Sequence, residues 1–158
     1  MKVSDNIDVL SNQSVTIITG ASSGIGLDLL DLLAKDYQNI LVINRNENKT
    51  KPILDELLIK YPSTRISYLI SDLSDQNEIL NITNVIKNNH IKINTLINNA
   101  GMFPVKNGIS KQGVEITFAL NHLAPFLLST QIFNINAFVK NALILNINSI
   151  AHYQAKGN

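Results

Sequence analysis

Gly20, Gly24 and Gly26 lie in Thr19-Gly20-Ala21-Ser22-Ser23-Gly24-Ile25-Gly26, between the apolar run Val15-Thr16-Ile17-Ile18 and an apolar-faced segment that starts at Leu27. A glycine-rich turn between a strand and a helix is suited to a dinucleotide pyrophosphate. Glycines let the backbone pass close to phosphates, and the helix N-terminus offers free N–H groups and the positive end of its dipole. The spacing is Gly-x-x-x-Gly-x-Gly rather than the commoner Gly-x-Gly-x-x-Gly. No Gly-Lys-Ser/Thr follows, which argues against a P-loop. The plainer reading of the same residues is a packing turn.

Further candidates follow the later apolar runs. Asn44-Arg45 stands where NAD-binding folds place an acidic residue for the ribose 2′-hydroxyl. A guanidinium there suits a 2′-phosphate instead, because its planar fork gives bidentate, charge-assisted hydrogen bonds. This favours NADP, and Glu47 keeps NAD open. Asp72 could accept from an adenine amino group or cap a helix. Asn98-Asn99-Ala100-Gly101 suits a closely approaching ligand or an ordinary polar turn. Ser149 could hydrogen-bond a substrate oxygen or form a turn. Asn121 is a polar residue in an apolar stretch, one turn before Pro125. The pair reads as a helix irregularity that offers backbone polar groups to a site, or as a solvent-facing Asn with a tolerated proline.

These residues need elements to position them. Val15–Thr19, Ile40–Ile43, Ile66–Ile70, Ile93–Ile97 and Leu143–Ile147 read as strands, short and apolar enough to be buried on both faces. Between them lie helical patterns: Leu27–Lys35, the stripe Ile53, Leu54, Leu57, Leu58 and Tyr61, and Ile79, Ile82, Val85 and Ile86. Asp75 with Glu78 three residues on resembles a capping box for the last of these. After a loop from Ala100 to about Gly113, a long helix is expected over Val114–Lys140. Strand–helix alternation with short links implies parallel strands and right-handed crossovers. The fold class is therefore α/β, a doubly wound parallel sheet, with residues 1–13 as a polar segment ahead of one domain over 14–158.

Composition narrows the partners. The 158 residues suffice for one core, and 45% are hydrophobic. A net charge of +1 with scattered lysines argues against a nucleic-acid footprint. There is no cysteine, which excludes disulfides and thiol chemistry. His90, His122 and His152 have no metal-type spacing, so no metal is expected. No apolar run approaches bilayer length, and Met1–Asn12 lacks a signal-peptide core. A soluble, cytoplasmic protein is the default expectation.

Taken together, Thr19–Gly26, Asp72-Leu73, Asn98–Gly101, Asn121 and Ser149 resemble the short-chain dehydrogenase/reductase superfamily, in family order and spacing. Phe118–Ser129 and Asn146–His152 look like its retinol-dehydrogenase and WW-domain-oxidoreductase branch. The resemblance implies a Rossmann fold with strand order 3-2-1-4-5, an NAD(P) cofactor, and hydride transfer with an alcohol or carbonyl substrate. It implies that Gly20, Ser22, Ser23, Gly24, Ile25 and Gly26 line the cofactor phosphates and ribose. Arg45 would meet the 2′-phosphate and Asp72 the adenine, and Asn98 with Ala100 and Gly101 would lie near the ribose. Asn121 would hold a water of the proton relay through its backbone carbonyl, and Ser149 would polarise the substrate carbonyl.

The sequence departs from the family in two places. Asn148 replaces a serine usual in that branch. The family's proton donor is a tyrosine with a lysine four residues on. Here Tyr153 lies too close to Ser149, and position 157 is glycine. The resemblance thus reads as truncated before that motif, with the family's later strands absent. The alternative function is a non-catalytic, relict nucleotide-binding module. Leu143–Ile147 would then be a bare apolar edge, which invites self-association. Sedimentation and thermal unfolding should find an associating or marginally soluble chain, and a sharply melting monomer would contradict this.

Overall fold

The computed structural model describes residues 1–36, 38–103 and 108–149. Six strands form one sheet: β1 (Lys2–Val3), β2 (Ser14–Thr19), β3 (Asn39–Asn44), β4 (Arg65–Ile70), β5 (Lys92–Asn98) and β6 (Phe138–Asn146). Their order is β1-β4-β3-β2-β5-β6. The last five are mutually parallel and give the expected order, in a doubly wound α/β Rossmann-like sheet. The sheet has six strands rather than five. Lys2 and Val3 add an antiparallel edge on Ile70 and Leu69, and a two-residue strand carries no periodicity that a sequence can reveal. The residues after it also pack inward, with Ile7 and Leu10 buried.

Helices cover both faces because side chains alternate along each strand. Ile18, Ile40, Val42, Ile66 and Tyr68 meet Leu30 and Ala34 of α1 (Gly24–Asp36) and Leu54 and Leu57 of α2 (Glu47–Lys60). Their neighbours Ile17, Leu41, Ile43 and Leu69 meet Ile79, Ile82 and Ile86 of α3 (Gln76–Asn88), together with the last helix. The carboxyl ends of β2 to β6 therefore share one rim, where ligands of open α/β sheets bind.

The expected helix over Val114–Lys140 is shorter and irregular. It runs as a single turn α4 (Ile116–Phe118), a π-helical turn over Ala119–Leu123, and α5 (Ala124–Asn134). The irregularity expected at Asn121 and Pro125 is thus present: the Ala124 N–H donates to the Ala119 carbonyl, five residues back. The C-terminus comes early because Asn136 takes a left-handed conformation (φ 54°). The Asn136 N–H donates to the Phe133 carbonyl and the Ala137 N–H to the Ile132 carbonyl, a Schellman motif closed by Asn rather than Gly. Ile116–Asn134 also corrects the expectation about apolar runs. At 19 residues it is long and apolar enough, by length and composition, to cross a bilayer. Ala119, Ala124, Leu128 and Ile132 are buried, and all but Ala119 belong to the core cluster. On β6, Leu143, Ile144 and Leu145 are exposed, as is Ile147 just beyond it.

The capping box at Asp75 forms only in part. Asp75 caps α3 by accepting from the Asn77 N–H, but Glu78 turns away and accepts from the Asp72 N–H and the Ser71 hydroxyl. Asp75 is buried and also holds the loop ahead of α4, accepting from Lys111 Nζ (2.8 Å) and Gln112 Nε2 (2.8 Å). The lysine foremost, then Gln112, holds the Asp75 carboxyl below its usual pKa. A depressed carboxyl pKa contributes stability that is complete above the unfolded value, about pH 4, and is lost as pH falls through the folded one. Asp75→Asn should therefore flatten the acid limb of stability. Urea midpoints taken from pH 7 down to pH 3 should fall less steeply than in the wild-type chain, and coincident slopes would contradict the assignment.

Candidate functional site

The turn after β2 is shaped by what lies beneath it. Gly20 has φ +69°, and a Cβ there would lie 2.6 Å from the Ala100 Cα. A Cβ on Gly26 would collide with the Asn99 side-chain nitrogen and the Gly20 carbonyl oxygen. These two glycines let α1 begin directly over the ends of β2 and β5. Gly24 differs: its φ is +56°, and a Cβ would meet nothing within 4 Å. Ser23, Gly24 and Ile25 are exposed on the side away from the sheet. The first-turn N–H groups of α1 lack intrahelical acceptors, as in any helix, and they face an open rim.

Amide side chains fix this loop. Asn99 Nδ2 donates to the Thr19 carbonyl (3.0 Å) and the Gly20 carbonyl (3.0 Å). The Thr19 hydroxyl oxygen accepts from the Asn99 N–H (3.0 Å) and the Ala100 N–H (2.9 Å). On the other flank, buried Asn44 accepts from the Ala21 N–H (2.7 Å) and donates to the Thr50 hydroxyl (3.0 Å). The Gly20 N–H donates to the Ile43 carbonyl. Thr50 was not among the sequence candidates, and Thr19, Asn44 and Asn99 stood there only as members of a motif, with no role of their own. Their only signal was an amide or hydroxyl at a strand end, which also marks ordinary turns.

The sequence candidates fall along the same rim. Arg45 is exposed just past β3, ahead of the α2 cap Asn46. Asp72 follows β4, and its carboxylate accepts from the Ser74 N–H (3.0 Å) and hydroxyl (2.7 Å). Asp72 thus closes an Asx turn, and Asp75 caps the helix. Asn98 ends β5 and is buried. Its Nδ2 donates to Asn146 Oδ1 (2.9 Å) and the Ser129 hydroxyl (3.3 Å), while its carbonyl accepts from the Ile147 N–H. It therefore ties β5 to β6 and α5, whereas Asn99 grips the glycine turn. Ala100 and Gly101 lead from there to Met102, which Asn121 holds at both ends. Asn121 Oδ1 accepts from the Met102 N–H (2.9 Å), and Nδ2 donates to the Met102 carbonyl (2.8 Å). Pro125, with no N–H, offers the Asn121 carbonyl no donor from the following turn. Ser149 lies three residues beyond β6 and is exposed. Tyr153 lies outside the described residues.

A family model described as short chain dehydrogenase matches residues 14–157. The chain belongs to this family. Among curated relatives, the short-chain dehydrogenase TIC 32 A, chloroplastic, of Brassica napus is 31% identical over 141 residues, covering 86% of this chain and 44% of the relative. Human polyprenol dehydrogenase is 27% identical over 148 residues, covering 91% and 45%. Among solved structures, the bulky-bulky ketone specific alcohol dehydrogenase of Comamonas testosteroni superposes with a TM-score of 0.71 at 25% identity, covering 90% of this chain and 57% of that one. The chain thus spans under half the length of the curated relatives it matches.

As a short-chain dehydrogenase chain, it uses two of its glycines for close packing and leaves a third open. Gly26→Ala should destabilise the fold by about 1–3 kcal/mol, because the methyl must displace backbone and a buried-side amide. Gly24→Ala meets no neighbour and should cost only the left-handed backbone, about 1–2 kcal/mol. Urea denaturation of both variants distinguishes these causes. Adding Asn99→Ala should recover part of the Gly26→Ala loss and none of the Gly24→Ala loss. Equal responses would contradict the packing account.

Proposed function

We propose that this chain binds NADP(H) along the carboxyl rim of its sheet, as the dinucleotide-binding part of an oxidoreductase that moves hydride between that cofactor and an alcohol or carbonyl. The observation that carries the reading is the open face over Gly24. Close neighbours fill the space at Gly20 and Gly26, whereas Gly24, which its left-handed φ of +56° favours as glycine, has open space where a Cβ would point, with nothing within 4 Å. A pyrophosphate bound across the first turn of α1 would need that room. The residues present therefore fit the cofactor.

In this reading Gly20, Ser22, Ser23, Gly24, Ile25 and Gly26 flank the pyrophosphate and its ribose, with Ile25, 64% exposed, free to cover the ligand. Arg45 binds the 2′-phosphate. Asp72 accepts from the adenine amino group with lone pairs that the Ser74 turn leaves over, since a carboxylate has about four acceptor sites. Asn98, Ala100 and Gly101 border the nicotinamide ribose. The Asn121 carbonyl holds a water near the reacting end, and Ser149 donates to the substrate oxygen. The cofactor, when bound, supplies the nicotinamide ring that carries hydride. The substrate oxygen also needs a proton donor, and general acid catalysis of this kind is worth on the order of 10²–10⁴-fold.

A second reading is binding without turnover, since the described residues supply the groups assigned above to the dinucleotide and none assigned as proton donor. Titration of the chain with NADPH and NADH, followed by nicotinamide fluorescence, tests both readings. NADPH should bind more tightly, and Arg45→Ala should weaken NADPH about tenfold while leaving NADH within about twofold, since one charge-assisted contact is lost. Failure to bind either dinucleotide, or tighter binding of NADH, would overturn the proposal. Turnover of aldehydes or ketones by this chain would remove the second reading.

A further inference from the structure

Glu47 is the carboxylate nearest in sequence to Arg45, and its position should matter for cofactor choice. It opens α2 two residues later. A free acidic side chain at this rim would accept from a ribose 2′-hydroxyl and repel a 2′-phosphate. Glu47 is not free. Lys2 Nζ lies 2.7 Å from Oε1 and 2.8 Å from Oε2, Lys51 Nζ lies 3.1 Å from Oε1, and the Tyr68 hydroxyl donates to Oε1 at 3.2 Å.

The sheet explains why a residue at the start of the chain reaches this place. Asn44 stands beside Ile70, and Ile70 beside Lys2, in one row across β3, β4 and β1. Because β1 is antiparallel, it delivers the Lys2 ammonium to the carboxyl rim of the parallel strands. Tyr68, two residues earlier on β4, donates to the same carboxylate.

We infer that Lys2 is a positioning residue for dinucleotide choice: it draws the Glu47 carboxylate toward β1 and cancels its charge, leaving Arg45 unopposed for a 2′-phosphate. The inference rests on the reading of Arg45 given above. Protonation does not do the same work. The two lysines, Lys2 first, hold the Glu47 pKa down at about 2, so the group is charged at neutral pH and only a cation can offset it. Loss of Lys2 leaves Lys51 and Tyr68, both on Oε1, and frees Oε2, which Lys2 holds, to turn to the rim.

The full chain and three variants test this by fluorescence titration with NADPH and NADH. Lys2→Gln should lower the NADPH:NADH affinity ratio about two- to fivefold, the range of a partly exposed ion pair. The change should shrink in high salt. Lys2→Arg should keep the wild-type ratio. Adding Glu47→Gln to Lys2→Gln should restore it, since the charge to be cancelled is gone. If Lys2 merely staples β1 to α2, both affinities fall together and the ratio stays, which overturns the inference. So does an unchanged ratio, or a double variant that fails to recover. A wild-type chain without preference for NADPH defeats the Arg45 reading and the inference with it; a wild-type preference that Lys2→Gln leaves intact defeats the inference only.

Discussion

The close approach of α1 to the ends of β2 and β5 is the constraint on which the rest of the rim depends. Gly26 lies against the Gly20 carbonyl and the Asn99 amide, where no side chain fits. That contact sets where the helix starts, and hence where its first-turn N–H groups point. Asn99 then satisfies the two carbonyls that the turn leaves, at Thr19 and Gly20. Buried carbonyls and N–H groups without partners are costly, so the amide both permits and fixes the turn. Asn44 does the same for the Ala21 N–H on the other flank.

From there the polar links run outward along the rim. Asn98 joins β5 to Asn146 and Ser129, and the Ile147 N–H returns to the Asn98 carbonyl, so the segment leading to Ser149 leaves the sheet in a set direction. Asn121 holds Met102 from a π-helical turn just ahead of Pro125, and so couples the loop after β5 to the last helix. At the opposite end, Lys2, Lys51 and Tyr68 surround Glu47. Rigid strands carry residues distant in sequence to one edge, and short side-chain amides bind the edge together.

Much of this was legible beforehand. Continuous apolar runs such as Ile40–Ile43 placed the parallel strands, because burial on both faces leaves no room for polar residues. The glycine spacing marked the turn, and Pro125 marked the helix irregularity. Other features were hidden for physical reasons. Helix ends at Asn88 and Asn134 rest on His90 and Asn136 in left-handed conformations, where glycine is the usual signal. Lys2–Val3 is too short to show a pattern. Asn99 and Asn98 are neighbours of the same type with different tasks, and only the direction of each side chain separates them. Asp75 caps α3 as expected, but Glu78 bonds Asp72 and Ser71 instead of completing the box, because hydrogen-bond choice among close carboxylates depends on loop geometry.

The central claim is that this loop lattice presents a dinucleotide site on one rim of the sheet. Backbone amide chemical-shift mapping with NADPH tests it most directly. The account predicts shifts at Gly20–Gly26, Arg45, Asp72 and Asn98–Gly101, with the Asn99 side-chain amide among the largest and the outer turns of α2 and α3 unmoved. Shifts centred on the exposed face of β6, or spread evenly over the chain, would contradict it.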